Sequence, residues 1–319
     1  MSIDLSAPPV PFSFEVYPPR SEAGAIALHE TIRHLADAGP RFISVTYGAG
    51  GSTGGRSLEV LRFIRRETAV SPLAHLTCVG STYAGAKALI REFLDAGITS
   101  FLALRGDPPI GTVEGDLYLG DLESSAQLVQ LIDRVQTERA PYTEAVIPGV
   151  PGAARVERRA RVDIAVAAFP NGHPRSRHPR EHIDALLAKQ AAGATLAITQ
   201  VFFHADDYLA FVGRSRDAGV TIPILPGIMP ITSPSRLRRV LELSGEGLPA
   251  ELAIALDVEP TAEGQRAVGI AHAAALAREV VAGGAPGVHL YAFNDHRTVL
   301  AVLRDADVLA QPIQKEAVR

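Results

Sequence analysis

Short runs rich in Val, Ile, Leu and Phe recur along this chain, and each leads into a reactive residue or a tight turn. Eight runs have strand character, at 12–17, 42–47, 73–79, 100–105, 163–169, 196–203, 222–228 and 287–293. Segments with helical periodicity separate them. The first run ends at Pro18-Pro19, the second at a Gly-rich stretch (48–55), the fourth at Arg105-Gly106-Asp107-Pro108-Pro109 and the sixth at His204. Regular strand–helix alternation predicts a closed (βα)₈ TIM barrel, an α/β fold, rather than an open sheet. Chemistry in such barrels collects at the carboxyl ends of the strands.

The predicted helices are 22–38, 56–68, 83–96, 124–138, 181–192, 206–218 and 234–244, with Gly97, Gly193, Gly219 and Gly245 as stop signals. Two gaps break the rhythm. Residues 138–160 read as a Pro/Gly-rich loop before the fifth strand, and 246–286 as extra helices before the last. Neither marks a domain linker, so the expectation is one catalytic domain over 1–319. Within it, 1–11 reads as an N-terminal extension and 306–319 as a poorly ordered C-terminal tail. The 319 residues suit a single barrel.

Trp is absent and aromatics make up 6% of the chain, so the core must come from Ala, Val, Ile and Leu, as in buried parallel strands. A net charge of -4 gives no global attraction to nucleic acid or an anionic membrane. No run is long and apolar enough to span a bilayer, and the N-terminus lacks the pattern of a secretory signal. A cytoplasmic protein is expected. The single cysteine, Cys78, excludes an intrachain disulfide and reads as a small buried hydrophobe.

Glu15 interrupts an apolar strand, where a carboxylate is costly unless paired or used. Aimed into the barrel mouth, its pKa would be raised by desolvation and suit general-acid work. The other reading is a structural carboxylate, capped by backbone donors or paired with an arginine. Arg105 and Asp107 flank Gly106, which lets backbone approach a ligand closely; alternatively they form a surface ion pair. Thr46 and Tyr47 are better candidates for ligand contact than the Gly-rich loop after them, which does not match a dinucleotide fingerprint. His75 on its own reads as a core residue. His173, His178 and His182 lack the spacing and acid partners of a metal site. Arg175, Arg177 and Arg180 suit an anionic group or a solvated basic loop. Gln200 suits a ligand with amide and amine edges, such as a pterin, or a core hydrogen bond. Lys189 is open between structure and function.

The stretches FSFEVYPPR, FISVTYGAGGS, AHLTCVGST, FLALRGDPP, DIAVAAFPNGHPRS, AITQVFF and IPILPGIMPITS, with a weaker GVHLYAFN, occur in that order from residue 12 onward. Together they resemble the 5,10-methylenetetrahydrofolate reductase family. The resemblance implies a TIM barrel holding FAD at its strand ends. NADH or NADPH would reduce the flavin, which would pass the hydride to a folate substrate in one-carbon metabolism and methionine biosynthesis. Glu15 matches the general acid, and Asp107 the aspartate that orients substrate and tunes the flavin. Gln200 matches the glutamine shared by folate and nicotinamide. Thr46, Tyr47, Ala49, His75, Arg105, Gly106, His173 and Lys189 match flavin or nucleotide contacts, and Phe169 keeps the stacking of a family tyrosine. The family forms dimers and tetramers, so a homo-oligomer is within expectation.

The chain also departs from that pattern. His182, Ala185 and Ala188 stand where the family supplies an aspartate and polar residues to the FAD diphosphate and ribose. Arg236 replaces a glutamine on the folate side, and Val240 an aromatic that covers the ligand. Asp295 stands where an arginine binds substrate, with Arg297 as a substitute. Two rivals therefore stand beside the flavin reductase: direct hydride transfer from NAD(P)H without flavin, and a non-redox folate-binding or methyltransferase barrel.

Overall fold

Period-two alternation within the strands decides which side chains enter the barrel and which face the helices. The computed structural model describes residues 10–47, 54–106, 119–139, 143–146, 153–156, 162–173, 176, 178 and 180–309. Its strands are β1 (Phe12–Val16), β2 (Phe42–Val45), β3 (Ser71–Thr77), β4 (Ser100–Leu104), β5 (Thr143–Val146), β6 (Ala153–Val156), β7 (Asp163–Ala168), β8 (Leu196–Thr199), β9 (Ile224–Leu225), β10 (Gly227–Ile228) and β11 (Val288–Tyr291). Its helices are α1 (Glu22–Asp37), α2 (Gly54–Glu67), α3 (Tyr83–Asp95), α4 (Ser125–Arg139), α5 (Glu181–Ala191), α6 (Ala205–Asp217), α7 (Pro234–Ser244), α8 (Ala250–Val258), α9 (Ala262–Ala282) and α10 (His296–Asp305).

Nine strands form one parallel sheet in the order β10-β11-β1-β2-β3-β4-β7-β8-β9. β9 and β10 are two halves of the expected seventh strand, parted at Pro226, which has no N–H for a ladder. β9 pairs with β8 and β10 with β11, so the broken strand bridges the two ends and closes the barrel. The Pro226 carbonyl still accepts from His289 N at 2.9 Å.

Phe12, Phe14 and Val16 of β1, Ile43 and Val45 of β2, and Val288 and Leu290 of β11 join the main core between sheet and helices. Full burial of each such side chain is worth about 1.5–3 kcal/mol. The alternate positions point inward. On β4, β7, β8 and β9 these are Leu102, Ala165, Ile198 and Leu225, which with Leu73 of β3 form a separate apolar cluster inside the barrel. On β11, β1, β2 and β3 the buried inward positions include Ser13, Ser44, His75 and His289. One half of the interior is therefore greasy and the other polar.

Three differences from the sequence reading have local causes. The stretch read as a loop before the fifth strand contains an antiparallel hairpin, β5 with β6. The sixth strand stops at Thr199 rather than Phe203. Gln200 N makes the last bond, to Ala168 O at 2.8 Å, and the Gln200 side-chain oxygen then accepts from Val201 N at 2.9 Å, which ends the ladder. Val201 and Phe203 turn into a second small core with Ile231, Leu237, Val240, Leu252 and Leu256, which seats α7 and α8. After the last strand, α10 is capped by Asp295, and Ala306 and Val308 beyond it are buried. The expected extra helices are present as α8 and α9. Residues 1–9 and 310–319 lie outside the described residues.

The closing seam is tightly packed. Gly227 N donates to Thr199 Oγ1 at 2.8 Å, and the Tyr291 hydroxyl donates to Thr199 O at 2.8 Å. A Cβ on Gly227 would meet Thr199 O at 2.3 Å and Tyr291 Oη at 2.8 Å. Gly227→Ala is expected to destabilise the fold by about 1–3 kcal/mol, the usual range for overpacking. Urea denaturation measures this, and an unchanged midpoint would show that the seam yields freely.

Candidate active site

Glu15 is held in the polar half of the barrel by strand register. It pairs across the sheet with Ser44 on one side and Tyr291 on the other. Its side chain is 18% exposed, so the carboxylate reaches the mouth without being fully solvated. His75 Nε2 lies 3.5 Å from Glu15 Oε2, and His289 Nε2 lies 3.7 Å from the same oxygen. Both separations exceed a direct hydrogen bond. On its far side, His289 Nδ1 is 2.8 Å from Ser13 Oγ. Ser44 Oγ and the two Nε2 atoms are buried with no hydrogen-bond partner.

The electrostatics correct one expectation. Burial is the strongest single influence on Glu15 and pushes its carboxyl up. The His75 charge and the His289 contact together outweigh it, so the group sits below the ordinary carboxylate value. His75 is itself held below the ordinary imidazole value, by burial first and by His289, against the pull of Glu15. Burial and the Glu15 charge push the Tyr291 phenol up, so it remains a hydrogen-bond donor. Protons in this cluster therefore belong to the set rather than to one side chain.

A cationic pole marks the ends of β4 and β7. Lys189 of α5 donates to Ala167 O at 2.8 Å, and its Nζ lies 5.8 Å from the centre of the Phe169 ring. Phe169 meets His173 edge-on at 4.9 Å. Burial and the nearby Arg105 push Lys189 down to about 8. Among the described residues neither Lys189 nor Arg105 has a carboxylate partner. Gly106 follows at φ +85°, and a Cβ there would meet Val79 Cγ2 at 2.5 Å. A side chain is thus excluded by both conformation and space.

The remaining predicted residues sit at neighbouring strand ends. Thr46 N bonds Val16 O at 3.0 Å, and its carbonyl accepts from Ser57 Oγ at 2.9 Å. Tyr47 packs half-buried against the main core. Gln200 spends its side-chain oxygen on Val201 N, which leaves its amide nitrogen to point elsewhere. Arg236 of α7 stacks 4.3 Å above the Phe293 ring. Asp107 and Ala49 lie outside the described residues, as do Arg175 and Arg177. His182 has no partner on either ring nitrogen and packs against Phe211. Among the described residues no group of His, Cys, Asp or Glu is disposed to hold a metal.

Several residues of this mouth escaped the sequence reading. Ser13, Ser44, His289 and Tyr291 could have been found from alternation alone, because FSFEV, FISV and VHLY each place their polar residues on one face. Asn294 carried no such signal. Phe293 and Asn294 both adopt positive φ, 49° and 59°. The Asn294 side chain accepts from Tyr17 N at 3.0 Å and donates to Tyr17 O at 2.9 Å. This clasp ties the turn after β11 to the turn after β1. Asp295, next in sequence, is committed to capping α10, where it accepts from Thr298 N at 3.2 Å, with Arg266 Nη2 3.7 Å away.

The Lys189 environment predicts a specific pH dependence. Its folded pKa is depressed, so between about 8 and the unfolded value the unfolded chain binds the extra proton. Stability without an anionic ligand should rise over that window, by up to about 3 kcal/mol. Lys189→Met should remove the rise. Denaturant midpoints from pH 7.5 to 10.5 measure it, and a rise that persists in the variant would assign it to another group.

The family profile described as Methylenetetrahydrofolate reductase matches residues 4–307. The 5,10-methylenetetrahydrofolate reductase of Escherichia coli (strain K12) is 30% identical over 283 residues, covering 88% of this chain and 86% of that protein. Methylenetetrahydrofolate reductase (NADH) 1 of Arabidopsis thaliana is 30% identical over 299 residues, which is 93% of this chain and 48% of the plant protein. The chain thus spans about half the length of the plant relatives it matches. A solved structure from Clostridium thermocellum, described as an uncharacterized protein that binds two copies of 5-methyl-5,6,7,8-tetrahydrofolic acid, shares the fold. Its TM-score is 0.58 at 13% identity, covering 93% of this chain and 94% of that one. With the profile matched over nearly its whole length, this chain belongs to the methylenetetrahydrofolate reductase family.

Proposed function

We propose that the protein reduces 5,10-methylenetetrahydrofolate to 5-methyltetrahydrofolate, with NADH or NADPH as the source of hydride and FAD as its carrier. The observation that carries this reading, beside family membership, is Glu15 at the mouth between two imidazoles, on the opposite side of the strand order from the Lys189–Arg105 pole. A dinucleotide needs an anion site, and that pole supports one: a desolvated lysine beside an arginine, with no acid neutralising either among the described residues. Lys189 and Arg105 would hold the diphosphate, and Thr46, Tyr47, His75, Gly106, Phe169 and His173 would line the rings and ribose. FAD, when bound, supplies a hydride acceptor and donor in a flat ring system.

The chain's own residues have three tasks. Glu15 delivers a proton to a ring nitrogen of the folate, which opens the one-carbon bridge to the reactive iminium. Gln200 offers its free amide nitrogen to the pterin or, in the other half-reaction, to the nicotinamide. Arg236 and Phe293 at the rim cover the aromatic tail of the substrate and limit water at the reacting carbon. Asp107, from the loop after β4, would orient the pterin. On this reading the product feeds methionine biosynthesis, and copies assemble as the family's dimers or tetramers do.

A second reading keeps the reaction without flavin, with hydride passing directly from NAD(P)H to the iminium. His182, Ala185 and Ala188 motivate it, because they stand where the resemblance implies polar contacts to the FAD diphosphate and ribose. The spectrum of the purified protein separates the two: flavin absorbance supports the first, and turnover in flavin-free protein supports the second.

Glu15→Gln tests the acid. Folate reduction should fall by about 10²–10⁴-fold, the range for loss of a general acid. Oxidation of NAD(P)H by a quinone acceptor, which needs no such proton, should continue. Equal loss in both assays would make Glu15 structural and remove it from the chemistry.

A further inference from the structure

The contacts behind Glu15 are more specific than an acid alone requires. His289 is fully buried, yet its Nε2 has no hydrogen-bond partner and faces Glu15 Oε2 at 3.7 Å. Its ring is fixed on three sides. Phe42 stacks on it at 5.7 Å and 24°, Tyr291 meets it edge-on at 5.5 Å, and Ser13 Oγ sits 2.8 Å from Nδ1. The Ser13 hydroxyl also has Val288 O within 3.5 Å. With Ser13 donating to that carbonyl, its oxygen accepts Nδ1–H, and this arrangement is the same whether Nε2 is bare or protonated. The imidazole can therefore change charge without any heavy atom moving.

We propose that His289 is a positioning residue that stores the proton Glu15 delivers, with Ser13 fixing the outer nitrogen so that Nε2 always faces the carboxylate. The proposal rests on the folate-reducing reading and extends it. In the step, the His289 Nε2–H bond breaks as its proton passes to Glu15 Oε2, and that O–H bond breaks in turn as N–H forms on the substrate, which leaves a neutral imidazole and the carboxylate. One proton from solvent restores the pair after product leaves. The titratable groups facing His289 are Glu15 of β1, His75 of β3 across the carboxylate, and Tyr291 of its own strand, whose hydroxyl is committed to Thr199 O. The Ser13 hydroxyl is the other polar neighbour.

Coupled groups lose their protons as a set. The Glu15 carboxyl, held below its ordinary value, gives up its own proton first, and the proton left in the cluster is shared. Protein labelled with ¹³C at the glutamate carboxyl, with the Glu15 signal assigned through Glu15→Gln, reports both steps without substrate. In the wild-type chain the Glu15 signal should move twice, first as the carboxyl loses its own proton and again as the shared proton leaves. In His289→Asn the upper step should vanish, and the alkaline limb of the folate-reduction profile should move down by at least one pH unit. In Ser13→Ala, the gentler variant should His289→Asn not fold, the upper step should move by half a unit or more. Identical titration in all three proteins would overturn the proposal. So would an alkaline limb that moves up, because His289 would then only stabilise the carboxylate. Wild-type protein that titrates in two steps yet reduces no folate would leave the proton store standing and refute the assigned reaction.

Discussion

A carboxylate inside a parallel barrel is tolerated here because the closed sheet surrounds it with groups that can share its charge. Glu15 stands between Ser44 and Tyr291 in register, with two imidazole nitrogens within 4 Å of one oxygen. Burial alone would drive the carboxyl towards its neutral form. The histidines reverse that drift, and in turn are themselves desolvated. The polar half of the interior is therefore a balanced unit, and removing one member changes the protonation of the others. The greasy half, Leu73, Leu102, Ala165, Ile198 and Leu225, has no such demand and fills space.

Charge is distributed around the mouth by strand position. The acid and imidazoles belong to β1, β3 and β11, whereas the cations follow β4 and sit on the helix after β7. A parallel barrel places these groups at one end because every strand runs the same way. Lys189 loses water to reach that end and gains a carbonyl and the face of the Phe169 ring.

The rim is held by backbone that side chains rarely choose. Consecutive positive φ angles at Phe293 and Asn294 store strain, which persists because the Asn294 amide satisfies both polar groups of Tyr17. The clasp fixes where Phe293 points and therefore where Arg236 rests. Asp295, where the resemblance implied an arginine, caps α10 beside Arg266. The substitution thus has a structural occupation, and Arg297 nearby remains exposed.

Much of the architecture was legible in the chain before any coordinates. Repeated apolar runs broken by glycine stops dictated a strand–helix alternation, because each strand buries both faces and each helix only one. The strand-end positions pointed to Glu15 and Gln200, since residues there have little reason to be polar unless they bind something, whereas Lys189, on a helix, stayed open until the resemblance singled it out. Three things depended on the tertiary structure. Pro226 splits a strand that then closes the ring, which needs two neighbours distant in sequence. His289 and Ser13 become partners of Glu15 only across a seam joining the first and last strands, 274 residues apart from Glu15 to His289. The direction of the Glu15 shift follows from the same cause: local sequence reports that a carboxylate is buried, and only the closed barrel decides which charges share its cavity.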